Sequence, residues 1–295
     1  MPESLGAPVP DEEEEIDLPF DPETDLFWFY VIEAKVKGCA AEFYLNGFAL
    51  TVCSDDKGLE LVQPVNQYIL DGENELAFVV KPGKIPSQAE SGPPEGKTEA
   101  EVYTTGGESV TVKLCRYPFG AVTGGPDQQV LQTLTWPLEI HEETHEYPLR
   151  MAVRFPLATG TGPWLWEGLP EITLDEKARE EIAAFLESLR ASLEARDPEP
   201  FLAAGAPRFD ELAKAYEDPP YKKRNILRRT TAEVDGMQAL DPATFDLRLA
   251  AGGRLVECLA KDWDAILRGA PDKDGNEDHY DMFIGRDADG WKMYR

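Results

Sequence analysis

A chain of 295 residues with 56 acidic against 29 basic side chains carries a net charge of −27. This excludes unspecific attraction to nucleic acid or to an anionic membrane surface, since both repel it over a Debye length of ~10 Å. The length exceeds what one core usually fills, so two domains are expected, and a content of 42% hydrophobic and 10% aromatic residues argues against disorder over most of the chain.

The first stretch, "MPESLGAPVPDEEEEIDLPF", has neither a basic start nor an apolar run and is not a signal peptide, which points to the cytoplasm. Rich in proline and acid, residues 1–22 are read as a flexible arm, with Glu12, Glu13, Glu14 and Glu15 the candidate contacts to a basic partner. From "LFWFYVIEAKV" (26–36) onward come short β-type runs: "AAEFYLNG", "FALTVC", "NQYIL", "NELAFVV", "AEVYTTG", "SVTVKLCRY", "QTLTWPLEI" and "LRMAVRF". Turn residues separate them, so an all-β antiparallel sandwich is expected over 23–157. Within it "VNQYILDGENELAFVV" (65–80) reads as two strands joined at Asp71-Gly72, with Asn74 bonding back to the turn and Leu76, Phe78 and Val80 alternating toward one face.

The phrases "FYLNG" (43–47) and "GENEL" (72–76) resemble the strand end and turn of galactose-binding-like jelly-roll sandwiches, over about residues 26–82. The resemblance implies a fold and no particular ligand. A carbohydrate site on the sandwich would require aromatics exposed at one loop edge, with Trp28, Trp136 and Trp164 the candidates.

"HEETH" (141–145) matches the zinc-hydrolase pattern H-E-x-x-H, which needs both imidazoles on one helical face. Strand-like "TLTWPLEI" precedes it, Pro137 and Pro148 bracket it, and a third ligand at helical spacing is missing. The segment is read as a charged strand end or hairpin, with no metal expected. Cys39, Cys53, Cys115 and Cys258 are widely spaced without C-x-x-C and are read as buried free thiols.

Gly and Pro cluster in "PLATGTGPWLWEGLPEI", and residues 158–172 are taken as a linker pinned by Trp164 and Trp166. Thr173 to Glu176 fits a capping box for an amphipathic helix over about 174–196, with Ile182, Phe185, Leu186, Leu189 and Leu193 on its buried face. Short helices are expected in "PEPFLAAG" and "RFDELAKAYED", and a further one in "YKKRNILRRTTAEVDGM". The last sixty residues return to strands. Helices followed by a curved antiparallel sheet define an α+β domain over 173–295. This order, with the closing hairpin "FIGRDADGWKMYR", resembles the nuclear-transport-factor-two-like cone, a fold that hosts enzymes, binders and structural modules alike.

"DKDGNED" (272–278) begins like a calcium loop, but Glu277 stands where glycine is needed and Phe283 where a bidentate glutamate is needed; a hairpin loop is expected. The basic run Lys222, Lys223, Arg224, Arg228 and Arg229 is read as pairing with the chain's own acids, with a site for a phosphate or a partner's carboxylates as the alternative. No G-x-S-x-G, phosphate-binding loop or dinucleotide motif is present, so no catalytic residue and no cofactor is assigned. These observations favour a non-catalytic interaction protein of a bacterial accessory kind, adaptor or toxin-neutralising, whose acidic surface binds a basic protein. The rival is an enzyme or small-molecule binder with a pocket in the second domain lined by Asp262, Trp263, Tyr280 and Trp291.

Overall fold

The computed structural model describes residues 28–53, 59–81, 103–104, 108–118, 121, 124–137, 144–145, 148–216, 234, 236–261, 263–271, 273 and 275–295. Antiparallel sheets dominate, with few helices. The first strands are β1 (Trp28–Lys37), β2 (Ala40–Leu45), β3 (Phe48–Cys53), β4 (Leu59–Pro64), β5 (Gly72–Lys81), β6 (Tyr103–Thr104), β7 (Ser109–Pro118), β8 (Gln129–Trp136), β9 (Thr144–His145) and β10 (Leu149–Leu157). They form two four-stranded sheets, ordered β4-β1-β7-β8 and β10-β5-β2-β3, plus the small pair β6-β9.

The two large sheets make a sandwich because their strands alternate. In β7, Val110, Val112 and Leu114 are fully buried, whereas Thr111 and Lys113 are not. Facing them across the layer are Phe43, Leu45, Leu76, Phe78 and Val80, also fully buried. Each such side chain removed from water stabilises the fold by about 1.5–3 kcal/mol. The four cysteines are buried free thiols, as their spacing predicts.

Residues 65–80 depart from the expected pair of strands. Asn66–Tyr68 is a short 3-10 turn, and β5 begins only at Gly72. The reason is Asn66, whose side chain accepts from Tyr30 N at 2.8 Å and donates to Trp28 O at 2.9 Å, tying this segment to β1 through its side chain.

The two phrases that carried the jelly-roll resemblance meet here. Asn46 and Gly47 form the two-residue turn between β2 and β3 with φ of 54° and 77°, the left-handed pair that matches strand twist and suits Asn-Gly. Asn46 Nδ2 donates to Asn74 Oδ1 and to Tyr68 O, both at 2.7 Å, and Glu75 N donates to Asn46 Oδ1 at 2.8 Å. Asn74, 1% exposed, closes its own turn by donating to Leu70 O and Gly72 O and accepting from Leu70 N. These asparagines replace water for backbone groups that no ladder reaches. Asn74→Ala should therefore lower the free energy of unfolding by about 1–3 kcal/mol in urea titration; an unchanged midpoint would show that the network is dispensable.

After residue 157 the chain runs through a 3-10 turn, Leu165–Gly168, into helices α1 (Glu176–Glu194), α2 (Glu199–Ala204) and α3 (Ala206–Tyr216). The cap of α1 is a correction. Asp175, with extended backbone, accepts from Ala178 N at 2.8 Å, so the helix starts two residues past the expected boundary and Thr173 lies outside it. Strands β11 (Phe245–Ala250), β12 (Leu255–Ala260), β13 (Leu267–Arg268), β14 (His279–Tyr280), β15 (Phe283–Asp287) and β16 (Gly290–Met293) follow. Four of them form a sheet, β11-β12-β15-β16, while β13 and β14 pair apart from it. Ile182, Leu186, Leu189 and Leu193 of α1 pack with Val256, Cys258, Ile284 and Met293 on one face of that sheet.

Several local expectations are met. Thr144–His145 is strand, paired with β6. The segment around residues 272–278 joins β13 to β14, and Gly290 turns the β15–β16 hairpin with φ 119°. The acidic arm and the basic run 222–229 lie outside the described residues. Among the described residues no helix is long and apolar enough to cross a membrane.

Candidate functional site

Alternation gives β12 two buried faces. Val256 and Cys258 meet the helices, while Leu255 and Glu257 point the other way, toward the sandwich. There the outer face of the β2–β3 hairpin meets them, and the junction has an apolar part and a polar part.

Phe48 of β3 is the apolar centre. Its ring lies 5.4 Å from Trp166 and 5.2 Å from Phe283, both edge-on, and 5.1 Å from Tyr68. Such pairs add about 0.5–1.5 kcal/mol each beyond the area they bury. Trp164 and Trp166, 2% and 5% exposed, pin residues 158–172 into this cluster. Trp164 Nε1 donates to Ile69 O at 2.7 Å, and its ring carries Lys214 at 4.7 Å and Arg295 at 4.8 Å.

Arg295 and Glu211 form a buried ion pair beside it, 4% and 2% exposed. Glu211 also accepts from Leu165 N, so α3 holds the start of the 3-10 turn. Burial pushes the Glu211 carboxyl up and Arg295 counters this; burial likewise pushes the Arg295 guanidinium down. Arg295 Nε and Nη2 have no hydrogen-bond partner among the described residues.

The polar part joins β2 to β11 and β12. Glu42 is 1% exposed and accepts from Tyr44 Oη at 2.7 Å. Arg248 pairs with Asp246, stands opposite Glu257 in the β11–β12 register, and lies 4.6 Å above the Trp263 ring. Glu257 is 6% exposed, and burial pushes its carboxyl up to about 8 against the attraction of Arg248, with Asp246, Asp281 and Glu42 adding to the rise. A glutamate neutral at pH 7 is acid–base chemistry in form. Its neighbours, however, are protein charges, and it does not line the cleft described next.

That cleft, about 410 Å³, is lined by Asn46, Leu70, Trp166, Glu167, Ala251, Gly252 and Arg254. It lies between the Asn46-Gly47 turn of the sandwich, the 3-10 turn at 165–168 and the β11–β12 turn. The apposition of these three turns is not legible in the sequence, because it depends on how the sandwich meets the later sheet.

The residues expected to line a pocket have the following neighbours. Trp263, with φ 69°, stacks under Arg248. Tyr280 packs edge-on to Phe201 of α2 at 5.7 Å, and Trp291 lies half-buried against the helix-facing cluster with Arg286 above it. None of these three lines the cleft. Asp262 and Glu12 to Glu15 lie outside the described residues. Of the aromatics a carbohydrate site would need, Trp136 and Trp164 are buried at 2% each, and Trp28 is half-buried with Arg116 4.2 Å above its ring. Among the described residues no group of three or more metal-ligating side chains comes together. Compared with protein-family models, curated proteins and solved structures, the chain has no match.

Proposed function

We propose that the chain is a non-catalytic, cytoplasmic interaction protein of two domains, a sandwich over 23–157 and an α+β unit over 173–295. Its acidic surface, with Glu12 to Glu15, binds a basic protein in the manner of an adaptor or a toxin-neutralising protein. The observation that carries this reading is the net charge of −27. Several cations on the described elements pair with the chain's own acids: Arg150 and Arg154 with Glu75, Arg190 with Glu187 and Glu194, Lys177 and Arg286 with Glu181. Carboxylates such as Glu73, Asp127, Glu171, Glu176 and Glu180 are exposed, so the surplus charge faces solvent. A field of one sign speeds encounter with a basic partner and selects against acidic ones.

The test is capture from lysate of the source cell at about 0.1 M salt, followed by reconstitution with the purified captured protein. Affinity for one basic protein should fall steeply toward about 0.5 M salt, as the Debye length shrinks from ~10 to ~4 Å. An affinity indifferent to salt, or no stoichiometric partner, would overturn the reading.

A further inference from the structure

We propose that β8 is a docking edge, which a basic protein occupies by adding an extended segment to the sheet as a further strand. This rests on the interaction reading for the charge of the partner, and names the surface that receives it. Three observations converge on this edge.

First, the backbone of β8 is paired on one side only. In the order β4-β1-β7-β8 it is the last strand, and it is not hydrogen-bonded to β10, the last strand of the facing sheet on the same side. The opposite side is tied, since Gln63 Nε2 of β4 donates to Leu50 O of β3 at 3.3 Å. Among the described residues, the backbone of 129–135 makes no hydrogen bond on the side away from β7. A row of such groups is a template for another strand.

Second, this edge lacks the features that keep a strand edge from pairing. Its eight residues, Gln129 to Trp136, include no charge and no proline, and Val130 and Thr133 are exposed, Val130 at 53%. By contrast β10 carries Arg150, Arg154 and Pro156, and β4 carries Glu60 and Pro64. Edge β3 is uncharged as well, but Phe48 carries it into the aromatic cluster against the later sheet. A register shift opposite Leu114 and Cys115 affects the start of β8 and leaves Gln132 to Trp136 regular.

Third, the apolar residues along this side are incompletely covered. Leu131 and Leu134 of β8 and Leu149, Met151 and Val153 of β10 pack on the core yet are only half-buried, where Val110, Val112 and Leu114 of β7 are fully buried. A strand laid along β8 points alternate side chains inward, which covers that seam while its backbone fills the ladder. The occupant is therefore an extended segment with apolar or β-branched residues at every second position. Its charge follows from the chain's −27: a second copy brings the same charge and is repelled, as is an acidic protein, whereas basic residues flanking the segment are attracted. Asp127, exposed two residues before the strand, gives one such flank a local counterpart.

The experiment uses the full chain, 15N-labelled, with a short synthetic peptide of alternating valine and threonine and paired lysines at both ends. Amide resonances of 129–135 should move saturably as the peptide is added. Two control peptides should leave them in place: one with glutamates for the lysines, which is repelled, and one with proline at every second central position, which cannot pair. Thr133→Lys changes an exposed side chain and keeps every backbone N–H; it should weaken the lysine peptide by about tenfold or more through like charge. No saturable shift in β8, equal binding of either control peptide, or an unweakened Thr133→Lys variant would each overturn the proposal. So would β8 shifts that follow the chain's own concentration, which would give the edge to a second copy. The interaction reading keeps its separate test in the captured basic protein: binding of that protein undiminished by Thr133→Lys overturns the β8 assignment alone.

Discussion

Glu211→Ala should lower the free energy of unfolding by about 3–5 kcal/mol, the usual cost of stranding one member of a buried ion pair. Arg295 is 4% exposed and already holds two nitrogens without partners, so without the carboxylate its charge has no counterpart of comparable proximity. Leu165 N loses its acceptor in the same step, loosening the 3-10 turn that carries Trp166. Replacing both residues by methionine removes the stranded charge and should recover most of the loss, since well-packed apolar groups often match or exceed a buried pair. Urea unfolding at pH 7 measures both variants. A double variant no more stable than the single one would mean that packing around Arg295, and not its charge, governs this corner.

Glu257→Gln should change the pH profile of stability instead of its general level. The folded carboxyl titrates at about 8 against an ordinary value of 4.5, so between those limits the folded state holds a proton that the unfolded chain has released. Stability from this group is full below about pH 4.5 and is lost as pH rises to about 8. At 1.36 kcal/mol per pH unit the loss is of order 3–5 kcal/mol, as an upper bound. Glutamine cannot ionise and keeps a similar shape. The variant should match the parent near pH 4.5 and exceed it by several kcal/mol at pH 8.5, the difference growing steadily between them. Taking the difference at each pH cancels the titration of the other carboxylates. If Glu257 is instead ionised and held by Arg248, glutamine will weaken the fold at every pH above 5, and the sign of the difference will show it.

Both predictions concern the junction between the sandwich and the later sheet, the part of the molecule least legible in the sequence. Strand alternation in "SVTVKL" and "NELAFVV" and the 3–4 spacing of Ile182, Leu186, Leu189 and Leu193 report local periodicity, which the backbone obeys wherever it is. Those elements appear as read, and so does the closing hairpin that Gly290 turns. The readings that shifted did so where a side chain chose a distant or neighbouring backbone partner. Asn66 turned an expected strand into a 3-10 segment by bonding to β1, and Asp175 took the cap from Thr173.

By itself, then, the sequence determined the charge, the antiparallel β character, the buried thiols and the amphipathic face of α1, because each depends on composition or on neighbours within a few residues. Only the tertiary structure decided that Glu42 and Glu257, 215 positions apart in the chain, share one buried polar cluster. It likewise decided that Trp166, Arg254 and Asn46 line one cleft, and that Trp263 stacks under Arg248 while Tyr280 and Trp291 pack against the helix-facing cluster. Burial and apposition depend on which faces two sheets present to each other, and no local pattern encodes that choice.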